Sequence, residues 1–181
     1  MGGLGALSYT ARHPGMFRAA ASYSGVVHPL YEPGGPANVL SINQGQNVDP
    51  YAVWGDPTAQ RAIWAAHDPY ELAARLRHTP MFLSVGDGTS GPFDPPGQSN
   101  AFERLFNAEN HALAARLRVL HAPVITDFYG PGTHTWPYWQ RELHRSLPLL
   151  LAALAEPDRP AAGPAPAAAH PAYLRSAVTA L

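Results

Sequence analysis

The chain contains no cysteine, which excludes disulfides, a cysteine nucleophile and cysteine-ligated zinc. It has no apolar run of about 18 residues, the least that would span a bilayer as a helix. Its formal net charge is −1, so the basic surplus of a nucleic-acid-binding protein is missing. Residues 1–25 do not join a basic stretch to a continuous apolar block, so they do not read as a secretory leader. None of its serines stands in a Gly-x-Ser-x-Gly pattern.

What is present suits one domain. A chain of 181 residues is long enough to bury a core. The 20 prolines and 16 glycines exceed average usage, and part of that excess lies beyond Glu156, in "EPDRPAAGPAPAAAHPAY". This divides the chain into a domain over residues 1–155 and a Pro/Ala-rich tail over 156–181.

Hydrophobic spacing places the elements. Residues 3–13 read as a small-residue helix with Leu4, Leu7 and Ala11 on one face, stopped by Pro14-Gly15. "FRAAASYS" (17–24) reads as a strand and 26–53 as a long surface excursion. Asp56-Pro57 and Asp68-Pro69 each open a helix, the second with Glu71 completing a capping box and running to about Arg77. "PMFLSVG" (80–86) and "APVITDFY" (122–129) are strands flanking an amphipathic helix over 100–118. A last helix from about Pro137 carries Trp139, Leu143, Leu147, Leu150, Leu151 and Leu154 on one face, with Pro148 as a kink. Strands alternating with helices predict an α/β fold with a mostly parallel sheet.

In such sheets, reactive groups gather at the carboxyl ends of the strands. His134, in "PGTHTWPYW", follows a strand and precedes a helix, so a glycine-hinged turn can point it into a cleft. An ordinary loop histidine is the competing reading. A histidine base needs a carboxylate to fix its tautomer. Asp87 at a strand end, Asp94 in the next loop and Glu103 at a helix start all qualify by position. Asp87 also reads as a turn former and Glu103 as a first-turn helix acid. The nucleophile is harder to place. Ser8 lies inside a helix, and Ser22, Ser24 and Ser84 fall at strand positions. The opening "MGGLG" resembles the part of a nucleophile elbow that follows its serine, with the pattern Gly-x-Ser-Met-Gly-Gly.

On these segments the chain resembles the "putative esterase" family of α/β-hydrolases, closest to its antigen 85 mycolyltransferase branch. "MGGLGALSYTARHPGMFRAAASYSG" is similar to the elbow helix and the strand after it. "VWGDPTAQRAIWAAHDPYELAARLRHTPMFLSVGDG" is similar to the Trp-Gly-Asp-Pro segment, "NAFERLFNAEN" to the helix carrying the acid, and "GTHTWPYWQREL" to the segment carrying the histidine. The resemblance implies the C-terminal part of an α/β-hydrolase fold, a mostly parallel sheet with flanking helices, incomplete at the N-terminus. It implies His134 and Glu103 as catalytic residues, the acid standing 31 residues before the histidine. It puts Trp136 at the substrate-binding mouth of an acyl pocket. It makes Met1 an oxyanion-hole donor through the N–H that follows the serine. The expected activity is ester hydrolysis or acyl transfer on a small acyl ester or glycolipid, with no cofactor, no metal, no nucleic acid and no transmembrane segment. The nucleophile is expected to be missing from the chain as written, leaving it inactive, and the longer parent to be secreted or in the cell envelope. A non-catalytic binding or cell-surface protein on the same fold is the alternative.

Overall fold

The computed structural model describes residues 1–156. α1 (Gly2–Arg12) leads into β1 (Ala20–Tyr23). α2 (Gly35–Gly45), α3 (Arg61–Ala65) and a 3₁₀ turn (Ala73–Leu76) fill the crossover to β2 (Met81–Gly86). α4 (Ala101–Val119) crosses to β3 (Val124–Gly130), and α5 (Trp136–Ala155) follows. The strands make one parallel sheet in the order β1-β2-β3. The expected tail beyond Glu156 lies outside the described residues.

β2 is the central strand, and every residue of it is buried. That is why it reads as a continuous apolar run: a parallel strand is covered on both faces. Met81 and Leu83 face a core with Leu7 and Ala11 of α1, Leu76 of the 3₁₀ turn, and Leu113 and Leu117 of α4. Phe82 and Ser84 point to the opposite face by alternation. There Tyr23, paired in register with Ser84, meets Ser146 of α5 through its hydroxyl at 2.6 Å. Helices therefore cover both faces, and all three strands run toward one end of the sheet.

Glycine decides how closely α1 can approach. A Cβ on Gly3 would run into Ser22 Oγ and the backbone of Gly25. The first turn of α1 thus lies against the carboxyl end of β1, next to Ser24.

Several expectations need correction. Residues 26–53 are a surface excursion only in part, since 44–49 and 51–53 are exposed but the beginning of the segment is not. Val26, Val27, His28 and Leu30 are buried and α2 occupies much of the rest. Asp56 does cap a turn, accepting from the N–H groups of Thr58 and Ala59, but the helix starts only at Arg61. Asp68 opens no α-helix. Its Oδ1 still caps the following turn by accepting from Tyr70 N–H, while its Oδ2 is drawn inward to His28 Nδ1 at 2.7 Å and Leu30 N–H, and the turn continues only into the 3₁₀ turn. The leucine stripe of α5 is not its buried face either. Tyr138, Glu142, Ser146 and Ala153 are buried, while Leu151 and Leu154 are 59% and 69% exposed. Polar anchors to the strands set the helix rotation: Ser146 on Tyr23 of β1, and Arg145 on Asp127 of β3.

Candidate active site

The carboxyl end of the sheet gathers one continuous polar network around Glu103. Asn100 caps α4 by accepting the Glu103 N–H at 2.9 Å. The Glu103 side chain does not reach back to complete a capping box. It turns inward and is fully buried. A buried carboxylate is tolerated only when its lone pairs are filled. Oε1 accepts from Ser24 Oγ at 2.6 Å, Gly86 N–H at 2.8 Å and Tyr129 Oη at 3.4 Å. Oε2 faces His134 Nδ1 at 2.8 Å. The His134 side chain keeps 31% of its surface exposed. Its ring lies against Phe106 and edge-on to Trp139, at 5.2 and 4.8 Å between centroids. With Nδ1 committed to the carboxylate, Nε2 is the nitrogen left for chemistry.

Local backbone explains how the donors arrive. Ser24 has a φ of 49°, in the left-handed region that serine seldom adopts. Its N–H still bonds Ser84 O at 2.7 Å, so the chain bends sharply at the strand end and sends Oγ to Glu103. The ladder between β2 and β3 shifts register after Val85–Phe128, leaving Tyr129 as the extra residue of a bulge. A bulge re-aims a side chain, and here it turns the Tyr129 phenol to Glu103. Burial first, then the Glu103 charge, hold that phenol well above its ordinary value, so it stays a donor. Gly86 is required where it stands, since a Cβ there would strike the carbonyl of Gly132 in the histidine loop. The N–H groups of Asp87 and Gly88 grip the carbonyls of Gly130 and Gly132, tying that loop to the exit of β2.

Of the site residues expected from sequence, His134 and Glu103 are brought together. Asp87 is not part of the pair: its Oδ1 accepts from Thr89 N–H and Oγ1 in a local turn. Asp94 bonds Thr133 and Tyr138 on either side of His134 rather than the imidazole. Met1 heads α1, whose first turn lies at the carboxyl end of β1, and burial lowers the pKa of its α-amino group. Trp136 is 78% exposed and reaches His134 only through Trp139, with a ring separation of 5.1 Å. Trp54 lines a depression of about 660 Å³ with Tyr51, Asp56 and Ile63 that includes neither His134 nor Glu103. From sequence, Ser24 is only a serine at a strand position and Trp139 only part of a helix face, and Tyr129 carries no signal. Ser24 and Tyr129 sit at a strand end and a bulge, which leave no periodic mark.

Ser8, Ser22, Ser84 and Ser146 are buried, and Ser41 and Ser90 donate to nearby carbonyls. Among the described residues, no group of three or more ligating side chains converges to hold a metal, and no helix is long and apolar enough to cross a membrane.

A parallel sheet covered on both faces, with a histidine backed by a buried carboxylate at its carboxyl end, defines an α/β-hydrolase-type protein. The family model described as "Putative esterase" matches residues 1–150, and the chain belongs to that family. Over 163 residues it is 28% identical to the diacylglycerol acyltransferase/mycolyltransferase Ag85B of Mycobacterium intracellulare, covering 85% of this chain and 47% of that protein. It is 30% identical over 156 residues to Ag85C of Mycobacterium avium, with 79% and 41% covered. The crystal structure of Mycobacterium tuberculosis MPT51 (FbpC1) superposes with a TM-score of 0.70 at 25% identity, covering 84% of this chain and 57% of that one. The chain thus spans less than half the length of these two curated relatives.

Proposed function

We propose that this chain carries the acid–base part of a Ser-His-Glu site for acyl-ester chemistry. The observation behind the proposal is the 2.8 Å approach of His134 Nδ1 to a fully buried Glu103 carboxylate, with the imidazole half-open to solvent. Glu103 holds the imidazole in the tautomer that leaves Nε2 free to accept a proton, and it stabilises the imidazolium that forms. His134 takes the proton of a serine hydroxyl as that oxygen attacks the acyl carbonyl, then returns it to the leaving alcohol as the acyl-enzyme forms. A second hydroxyl, of water or of an acceptor alcohol, is deprotonated the same way and releases the acyl group. The names of the relatives favour a transferase reading, with a lipid-like acyl donor.

The serine in this proposal is that of a nucleophile elbow, and the opening Met1–Gly5 resembles the part of such an elbow that follows its serine. The first turn of α1 lies at the same end of the sheet, where free N–H groups favour a developing oxyanion. A peptide N–H at Met1 is the proposed donor where another residue precedes it, since at a chain start that nitrogen is an α-amino group; Trp136 is a proposed wall of the acyl site.

The test uses a p-nitrophenyl ester and a serine-directed phosphonate. Expressed from the longest open reading frame that contains it, the protein is expected to take one phosphonate. His134→Ala and Glu103→Gln are then expected to lower kcat by roughly 10³- to 10⁴-fold. The 181-residue chain alone is expected to match the background rate of free imidazole. A robust rate from that chain, lost in His134→Ala, would place the nucleophile among its own serines and overturn the assignment.

A further inference from the structure

The hydrogen bonds around Asp94 stand outside the Glu103 network yet converge on the same loop. Asp94 lies between β2 and α4, in the segment that leads to Glu103. Its Oδ1 accepts from Thr133 Oγ1 at 2.5 Å, and its Oδ2 from Tyr138 Oη at 2.7 Å and Gly91 N–H at 3.0 Å. Thr133 is the residue before His134, and Tyr138 is in the first turn of α5 after it. Both are fully buried. Tyr138 is further fixed by stacking on Tyr129 at 5.3 Å and by Phe93 N–H, which donates to its hydroxyl at 3.3 Å. Burial pushes the Asp94 carboxyl up, but the bonds from Thr133, Tyr138 and Gly91 outweigh it and hold it below the usual carboxylate range.

We propose that Asp94 is a positioning residue that acts through Thr133 and Tyr138 to hold His134 against Glu103. The geometry supplies the reason. Glu103 restrains the imidazole at only one atom, Nδ1. The backbone under it runs through Gly130 and Gly132, which resist bending least, and Gly130 has a φ of 74°. The N–H groups of Asp87 and Gly88 hold the carbonyls of Gly130 and Gly132 before the histidine, and the Asp94 carboxylate, by bonding the hydroxyls on both flanks of His134, fixes the side that they leave free. It spans from the 133–138 segment to the loop entering α4, so the histidine and its acid are registered to one anchor. A misplacement of about 1 Å in such a site costs roughly 100-fold in rate.

The test reads the Nδ1 proton between His134 and Glu103, which does not require turnover. It therefore fails or succeeds separately from the acyl-transfer reading on which the functional meaning rests. The full chain, labelled with ¹⁵N-histidine, is expected to give a slowly exchanging downfield proton resonance from His134. Thr133→Val keeps the shape and removes the hydroxyl; Thr133→Ser keeps the hydroxyl. The resonance is expected to be lost in Asp94→Ala and Thr133→Val and retained in Thr133→Ser, with far-UV circular dichroism unchanged. In protein that labels with phosphonate, kcat is expected to fall roughly 100-fold in Thr133→Val at unchanged KM. Should Asp94→Ala fail to fold, the two Thr133 variants decide. A His134 resonance absent from the unaltered chain, unchanged in Thr133→Val, or lost in Thr133→Ser overturns the proposal.

Discussion

At the scale of single residues, buried carboxylates carry most of the design. Glu103 has donors around both oxygens, whereas Glu109 does not. Glu109 Oε2 accepts from the N–H groups of Val27 and His28 at 2.9 and 3.1 Å, while Oε1 is buried with no partner in the protein. Burial, helped by the Asp68 charge, pushes its carboxyl up to about 8 against the pull of the two N–H bonds. A carboxyl raised in the folded state binds its proton more tightly there than in the unfolded chain. Its contribution to stability is fully present below the ordinary value of 4.5 and is lost as pH rises through about 8. Urea midpoints of the wild-type chain are therefore expected to fall between about pH 5 and 8. Glu109→Gln keeps an acceptor for Val27 and His28 and carries no charge. It is expected to flatten that dependence and to be the more stable form at pH 8. Equal slopes for the two proteins would refute this.

At the scale of elements, α4 is the organising piece. Its second half buries Leu113 and Leu117, as its periodicity predicts. Its first half buries polar side chains that catch backbone groups leaving the strands. Glu103 takes Gly86 N–H, Asn107 Nδ2 donates to Gly86 O, Asn110 Nδ2 donates to Gly25 O, and Glu109 holds Val27 and His28. Chain ends of parallel strands expose such groups, and burying them unmet would cost about 1–3 kcal/mol each. The contact of α1 with β1 is the other close joint. Gly3→Ala puts a methyl against Ser22 and the Gly25 backbone, which the helix relieves only by moving away. The expected loss is about 1–3 kcal/mol in urea unfolding. Gly2→Ala, with open space around its Cβ, is the control and is expected to change stability little. A Gly3→Ala protein as stable as Gly2→Ala would show the joint to be looser than described.

At the scale of the whole molecule, the apolar stripe of α5 has consequences. Leu143, Leu151 and Leu154 are exposed together on one side of the helix, with Trp136 at its start. Contiguous exposed apolar surface drives association. β1 adds to this as an edge of the described sheet, since only one side of it is paired. Such an edge is a template for further pairing. The chain is expected to bind a hydrophobic dye and to self-associate with rising concentration. Leu151→Glu with Leu154→Glu is expected to reduce both effects in light scattering without lowering the unfolding midpoint. Unchanged association would move the cause to the β1 edge.

The sequence by itself determined the strand–helix alternation, the three strands and the extent of α4, and the family resemblance named Glu103 as the acid for His134. These follow from local rules: apolar period, caps, and the resemblance of short segments. The resemblance to the esterase family was legible because the "GTHTW" and "MGGLG" stretches serve backbone geometry as well as chemistry. By position alone Asp87, Asp94 and Glu103 are equivalent, and in the tertiary structure it is Glu103 whose carboxylate meets the histidine. Only the tertiary structure decided that Tyr129 enters the site through a bulge and that Asp68 bonds His28 as well as capping its own turn. The same holds for α5, on which Leu143, Leu151 and Leu154 lie outward. A periodic stripe says that a helix has two faces. Which of them is buried depends on the anchors of the neighbouring strand, here Tyr23 on Ser146, and those lie far away in sequence.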